Sequence, residues 1–258
     1  MPRDLISVLL AEKADKISGG IYNKLQVDFA YNSNHIEGSK LTHEQTRYIY
    51  ETQTVGIEPA RVDDVFETVN HFRCFDKIID TYQDELTADY IKSLHLILKN
   101  STLSSDSEEA VVGDYKKYPN YVGDMQTLAP EKVAAAVEAL LTDYKMIAAV
   151  DLYDILSFHA DFEKIHPFYD GNGRIGRLLM FKECLKHDIV PFFIEDTYKG
   201  YYYKGLKELQ SDSEKGFLID TCLMMQDRMK AILDYFKIEY DHTEITSRDL
   251  LDRSGKTR

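Results

Sequence analysis

The sequence predicts a mainly α protein, a helical bundle broken by one short β-hairpin. Three observations carry this expectation. Apolar residues recur at helical spacing along most of the 258 residues. Glycine and proline are few, 13 and 6, so long stretches lack helix breakers. Between Ala110 and Leu128 the pattern changes to β-branched residues, tyrosines and turn formers.

Residues 1–60 read as an N-terminal helical region, 61–238 as a catalytic core and 239–258 as a polar tail. Val65, Phe66, Val69, Phe72 and Ile78 mark one amphipathic helix from Val62 to Tyr82. Thr87 has the chemistry of an N-cap, and Ile91, Leu94 and Leu98 continue the helix behind it. Pro130 and Glu131 open another, with Val133, Val137, Leu140 and Leu141 inward. Leu152, Ile155, Leu156, His159, Phe162 and Ile165 trace a further face, and Ile175, Leu178, Leu179 and Leu185 the next. A long helix is expected from Phe217 to Phe236. The tail from Asp241 onward reads as a helical stub or a frayed end.

Bulk properties narrow the function. A net charge of −13 disfavours a broad nucleic-acid surface, which rests on clustered Lys and Arg. Cys74, Cys184 and Cys222 are scattered and odd in number, the usage of a reducing compartment, and read as core residues. No apolar run approaches the length of a membrane helix. The apolar patch Leu5 to Ala11 is too short for a signal peptide. The expectation is a cytoplasmic protein with no membrane partner.

Chemistry concentrates in His166-Pro167-Phe168-Tyr169-Asp170-Gly171-Asn172-Gly173-Arg174-Ile175-Gly176-Arg177. Pro167 disfavours helical dihedrals at His166, so a helix should end there. Gly171 and Gly173 permit a tight loop, and a new helix should begin near Asn172. Its first N–H groups lack partners and make an anion site, reinforced by the helix dipole. Arg174 and Arg177, three apart, should share a polar face away from the apolar stripe and clamp a polyphosphate. Asp170 among those cations makes sense as a Mg²⁺ ligand, and His166 as a proton acceptor. The other histidines, His35 and His95 among them, are too dispersed for a metal site and read as structural.

This stretch resembles the signature of the Fic family at every fixed position, His-Pro-Phe-x-Asp/Glu-Gly-Asn-Gly-Arg-x-x-Arg. The resemblance implies a Fic-type helical bundle that moves AMP from ATP, with Mg²⁺, onto a Ser, Thr or Tyr hydroxyl of a target protein. It implies that His166 deprotonates the hydroxyl and Asp170 holds the metal. Asn172 and the loop N–H groups, with Gly171, Gly173 and Gly176, would cradle the α- and β-phosphates. Arg174 would meet the β-phosphate and Arg177 the γ-phosphate.

A second stretch, Ser33-Asn34-His35-Ile36-Glu37-Gly38, resembles the family's inhibitory motif in its N-terminal-helix class. Ser33 and Glu37 share a helical face and Gly38 is a natural stop. The resemblance implies a Glu37–Arg177 pair that blocks the γ-phosphate position; whether the glutamate also helps to remove AMP stays open. The stretch Gly113 to Gly123 resembles the Fic flap that docks a target by strand addition, with Lys116 where the family often has Arg. Val122, Gly123, Asp124 and Met125 fall where relatives border the nucleotide. Tyr202 and Tyr203 resemble an adenine-side pair, and Gln210 stands where relatives often carry Asn. Self-modification and a homo-oligomer stay open, as do a nucleotide-binding regulatory protein and another phosphate-containing group transfer on the same fold.

Overall fold

The computed structural model describes residues 4–56, 59–103, 111–122, 125–211 and 216–254. Several of its helices start where a side chain satisfies free N–H groups. Asp4 caps α1 (Leu5–Asp15) by accepting from Ser7 N–H at 2.9 Å. After α2 (Ile21–Ile36), Thr42 and Gln45 form a capping box on α3 (His43–Thr52). The expected helix from Val62 is α4 (Val62–Asp80). Thr87 accepts from Tyr90 N–H at 3.1 Å and opens α5 (Ala88–Leu98). Pro130 is the first residue of α6 (Pro130–Lys145). A second capping box, Asp151 with Asp154, starts α7 (Leu152–Ile165). Then come α8 (Asn172–Lys186), a short 3-10 turn (Asp196–Tyr198), α9 (Lys199–Gln210), α10 (Gly216–Tyr235) and α11 (Ser247–Ser254).

The hairpin is smaller and later than the expected Gly113 to Gly123. Strand β1 (Tyr121–Val122) pairs antiparallel with β2 (Met125–Gln126), with Tyr121 opposite Gln126 and Val122 opposite Met125. Upstream backbone is already engaged elsewhere. Gly113 N–H donates to His95 Nδ1 at 2.9 Å and Lys116 N–H to the Pro167 carbonyl at 2.9 Å. Those donors are unavailable to a ladder.

One continuous core runs from Leu5 to Leu250. The tail's α11 is therefore a docked helix, with Leu250 inserted in that core. The three cysteines are free and buried, as expected. Helix α8 lies at the centre, touching α2, α4, α5 and α7. Helix α2 is fastened to it by Phe29, whose ring stacks on Phe193 at 5.6 Å and lies 5.3 Å from Phe181. Phe75 and His71 of α4 approach it edge-on. Among the described residues, no helix is long and apolar enough to cross a membrane.

Phe29→Ala removes the ring that ties α2 to α4 and α8. It should lower the unfolding free energy by ~3–5 kcal/mol, read as a fall in urea midpoint with little change in slope.

Candidate active site

The loop between α7 and α8 is built by its own residues. Helix α7 stops at His166, which takes φ 51° ahead of Pro167. Gly171 turns the chain into α8 at φ 84°, a conformation costly for a side-chain-bearing residue. Asn172 then staples the loop. Its Oδ1 accepts from Phe168 N–H at 2.8 Å and its Nδ2 donates to the Phe168 carbonyl at 2.8 Å. That side chain is 1% exposed and fully engaged, so what Asn172 can offer an anion is its backbone N–H. Phe168 is buried beneath and stacks on His95, ring centroids 3.9 Å apart. His95 uses both nitrogens: Nδ1 accepts from Gly113 N–H, and Nε2 donates to the Asp170 carbonyl at 3.1 Å. It is structural, as expected, and burial holds its pKa down at about 4, which keeps this neutral tautomer.

The first hydrogen bond that closes onto α8 runs from Ile175 N–H to the Gly171 carbonyl. The turn before it opens on a cavity of about 580 Å³ bordered by Glu37, Asn120, His166, Asp170, Gly171 and Gly173. Base, carboxylate and helix start therefore share one space.

Four side chains form a ring of alternating charge behind the loop. Lys99 Nζ lies 2.6 Å from Asp170 Oδ2 and 2.7 Å from Glu67 Oε1. Arg174 lies 2.6 Å from Glu67 Oε2 and 3.4 Å from Asp170 Oδ1. Burial alone would push the Asp170 carboxyl up. Arg174, Lys99 and the Gly171 N–H outweigh it and hold the group at about 2.

The two arginines do not share a solvated face. Arg174 is 2% exposed and Arg177 1%. Helix α8 is enclosed on all sides, so each guanidinium faces a different neighbouring helix and is paired there. Arg174 meets Glu67 of α4. Arg177 meets the end of α2: Nη2 donates to Glu37 Oε1 at 2.7 Å and to the Ser33 carbonyl at 2.9 Å, and Nε donates to Ser33 Oγ at 3.1 Å. Glu37 is the C-cap of α2, and Gly38 at φ 99° ends the helix. The Glu37 carboxylate also lies so close to Gly173 that any side chain there would run into it.

His166 is held neutral. Burial lowers its pKa to about 4, and the Lys116 charge adds to the effect. Lys116 is itself buried, which lowers it to about 8. Its Nζ donates to Asn120 Oδ1 at 2.9 Å and also to Thr127 Oγ1.

The remaining expected residues lie outside the cavity wall. Tyr202 is buried, its hydroxyl 2.6 Å from His159 Nε2. Tyr203 is exposed, its ring 5.4 Å from that of Tyr202. Gln210 donates to the Ala160 carbonyl at 3.0 Å and so braces α9 on α7. Gly176 sits inside α8, closely overlaid by Glu163 and His159. Val122 is exposed on the hairpin and Met125 pairs with it; Gly123 and Asp124 lie outside the described residues. Sequence reasoning missed Glu67, Lys99 and Asn120 as parts of the site. Each comes from an element far along the chain, and none carries a local motif.

The chain is similar to known proteins in both sequence and fold. Residues 85–184 match the family model described as Fic/DOC family. The protein adenylyltransferase Fic of Nematostella vectensis is 25% identical over 222 residues, 80% of this chain and 51% of the relative. That of Drosophila willistoni is 26% identical over 186 residues, 69% of this chain and 35% of the relative. The chain thus spans between about a third and a half of the length of these relatives. Among solved structures, a Fic domain containing signaling protein from Bacteroides thetaiotaomicron superposes with a TM-score of 0.70 at 21% identity, covering 93% of this chain and 99% of that one. Fic-1 from C. elegans gives 0.69 at 18% identity, covering 86% and 66%. Both share the helical fold.

The His166 ring should titrate near pH 4 instead of 6.5, seen by NMR of its ring carbons. Because the folded state resists protonating it, its effect on stability is nil above pH 6.5. It turns unfavourable as pH falls toward about 4, then levels. Lys116→Met should raise the midpoint.

Proposed function

We propose, on the premise that the chain is a Fic family protein, that it is an adenylyltransferase which moves AMP from ATP to a protein hydroxyl and is restrained by Glu37. One observation carries the reading. A neutral imidazole, an ionised carboxylate and a helix N-terminus border the same cavity, and a glutamate of the chain lies against that helix start.

The chemistry needs little more. With ATP in the cradle, the N–H groups at the start of α8 would carry phosphate oxygens. His166 would take the proton of an incoming Ser, Thr or Tyr hydroxyl. The hydroxyl oxygen would bond to the α-phosphorus while the bond to the β-phosphate oxygen breaks. AMP-protein and pyrophosphate result, and the proton leaves from His166. Arg177 would hold the γ-phosphate once free of Glu37.

The residues present fit Mg²⁺. Asp170 is ionised, borders the cavity, and its side chain is 45% exposed. Among the described residues no cluster of three or more His, Cys, Asp or Glu encloses a metal. A single hard carboxylate suits a cation that arrives with a nucleotide and keeps most of its ligands from phosphate and water. Asp170 would hold it, and it would supply charge neutralisation to the triphosphate.

Glu37 and Arg177 explain restraint by competition. A carboxylate on Arg177 and beside Gly173 takes the place an anionic γ-phosphate needs. Its border on the cavity also favours a second activity at the same site, with Glu37 activating water to remove AMP.

The test uses ATP labelled at the α- or γ-phosphate, with wild type, Glu37→Gly and Glu37→Gly/His166→Ala, each with and without cell lysate. Glu37→Gly should transfer α-label to itself or to lysate protein at least ~10-fold above wild type. Adding His166→Ala should remove that transfer by roughly 10²–10⁴-fold. Transfer of γ-label would indicate a kinase. Tight ATP binding with no transfer by any form would indicate a nucleotide-binding regulator. Equal labelling by wild type and Glu37→Gly would dismiss the restraint.

A further inference from the structure

The catalytic loop carries four successive carbonyls, from Pro167 to Asp170, and each has a donor from outside the loop. Lys116 N–H takes that of Pro167 at 2.9 Å. Asn120 Nδ2 takes that of Tyr169 at 3.2 Å and, shared with Asn172 Nδ2, that of Phe168 at 3.1 Å. His95 Nε2 takes that of Asp170. An uncovered carbonyl oxygen beside a triphosphate would repel it, so the loop's affinity for an anion depends on these partners as well as on its N–H groups.

Asn120 has the largest share. One carboxamide covers two oxygens, and the residue itself borders the cavity. Its orientation is fixed from the other end: Oδ1 accepts from Lys116 Nζ at 2.9 Å and from the Thr127 hydroxyl. Thr127 N–H and Oγ1 both also return to the Asn120 carbonyl, at 3.1 Å each. Asn120 and Thr127 immediately flank the two hairpin strands. The hairpin root and the catalytic loop are thus joined through one side chain.

We propose that Asn120 is a positioning residue of the nucleotide site: anchored by Lys116 and Thr127 at the hairpin root, it covers the Phe168 and Tyr169 carbonyls and so sets the affinity of the cradle for phosphate. The inference rests on the nucleotide reading of the cavity. It adds that the root of the hairpin is mechanically linked to the anion site.

Asn120→Leu keeps the size of the side chain and removes its donors without adding charge. In the Glu37→Gly background, calorimetry should show ATP affinity falling roughly 5-fold, the scale of one lost hydrogen bond, because Asn172 Nδ2 still covers the Phe168 carbonyl. Adenosine affinity should be unchanged, while the melting temperature should fall, since the buried Lys116 ammonium and the Tyr169 carbonyl each lose a partner. Thr127→Val keeps the carboxamide but loosens it, and should give a smaller loss, ~3-fold, in the same phosphate-dependent pattern. Undiminished ATP binding by Asn120→Leu would overturn the proposal. So would an equal loss for ATP and adenosine, which would mark a collapse of the whole pocket. If Asn120→Leu does not fold, Thr127→Val alone decides by the same comparison. A Glu37→Gly protein that binds no ATP at all would instead defeat the nucleotide reading beneath it.

Discussion

The start of a buried helix favours an anion. Helix α8 runs through the middle of the protein with every face covered, and its first N–H groups have no partner within the helix. The dipole concentrates positive potential at that end. Everything around it fits that preference. Asn172 ties the loop so that the helix starts at a fixed point, Gly171 makes the turn, and Gly173 leaves room for an acid to approach. In the protein as it stands, the carboxylate beside Gly173 is that of Glu37, bonded to Arg177.

Charge around the helix start is balanced in two separate groups. Glu67, Asp170, Lys99 and Arg174 sum to zero and stay in the wall. Glu37 and Arg177 sum to zero as well, but that pair bridges two helices and its Glu37 borders the cavity. On the proposed reading, a triphosphate that displaces Glu37 would gain the Arg177 charge. The division separates the wall from the pair at the end of α2. It also explains why both arginines can be buried, since neither is left without a carboxylate.

Local signals made much of this legible. Thr87 and Pro130 announce helix starts by their chemistry, and both open helices. The run from His166 to Arg177 is readable because turn, helix start and charged groups are contiguous in the chain. The Ser33 and Glu37 spacing works for the same reason, and both meet Arg177. The misses have one physical origin. Lys99 lies 71 residues from Asp170 and Glu67 still farther along the chain, so only the folded core brings them together. The arginine face failed because a helix buried all round has no polar side to display. The hairpin was placed too early because the Lys116 N–H, free on paper, is held by Pro167.

Helix α2, which presents Glu37, is not an appendage. Leu25 and Phe29 are wholly buried in the common core, between α4 and α8. Swinging the helix away would expose that aromatic cluster and cost much of the protein's stability. Glu37, however, stands one residue past the last helical turn, just before a glycine whose backbone bends freely. Freedom is therefore confined to a single side chain and the bend behind it. The Glu37 carboxylate can turn about a few bonds while the bundle that carries it stays closed.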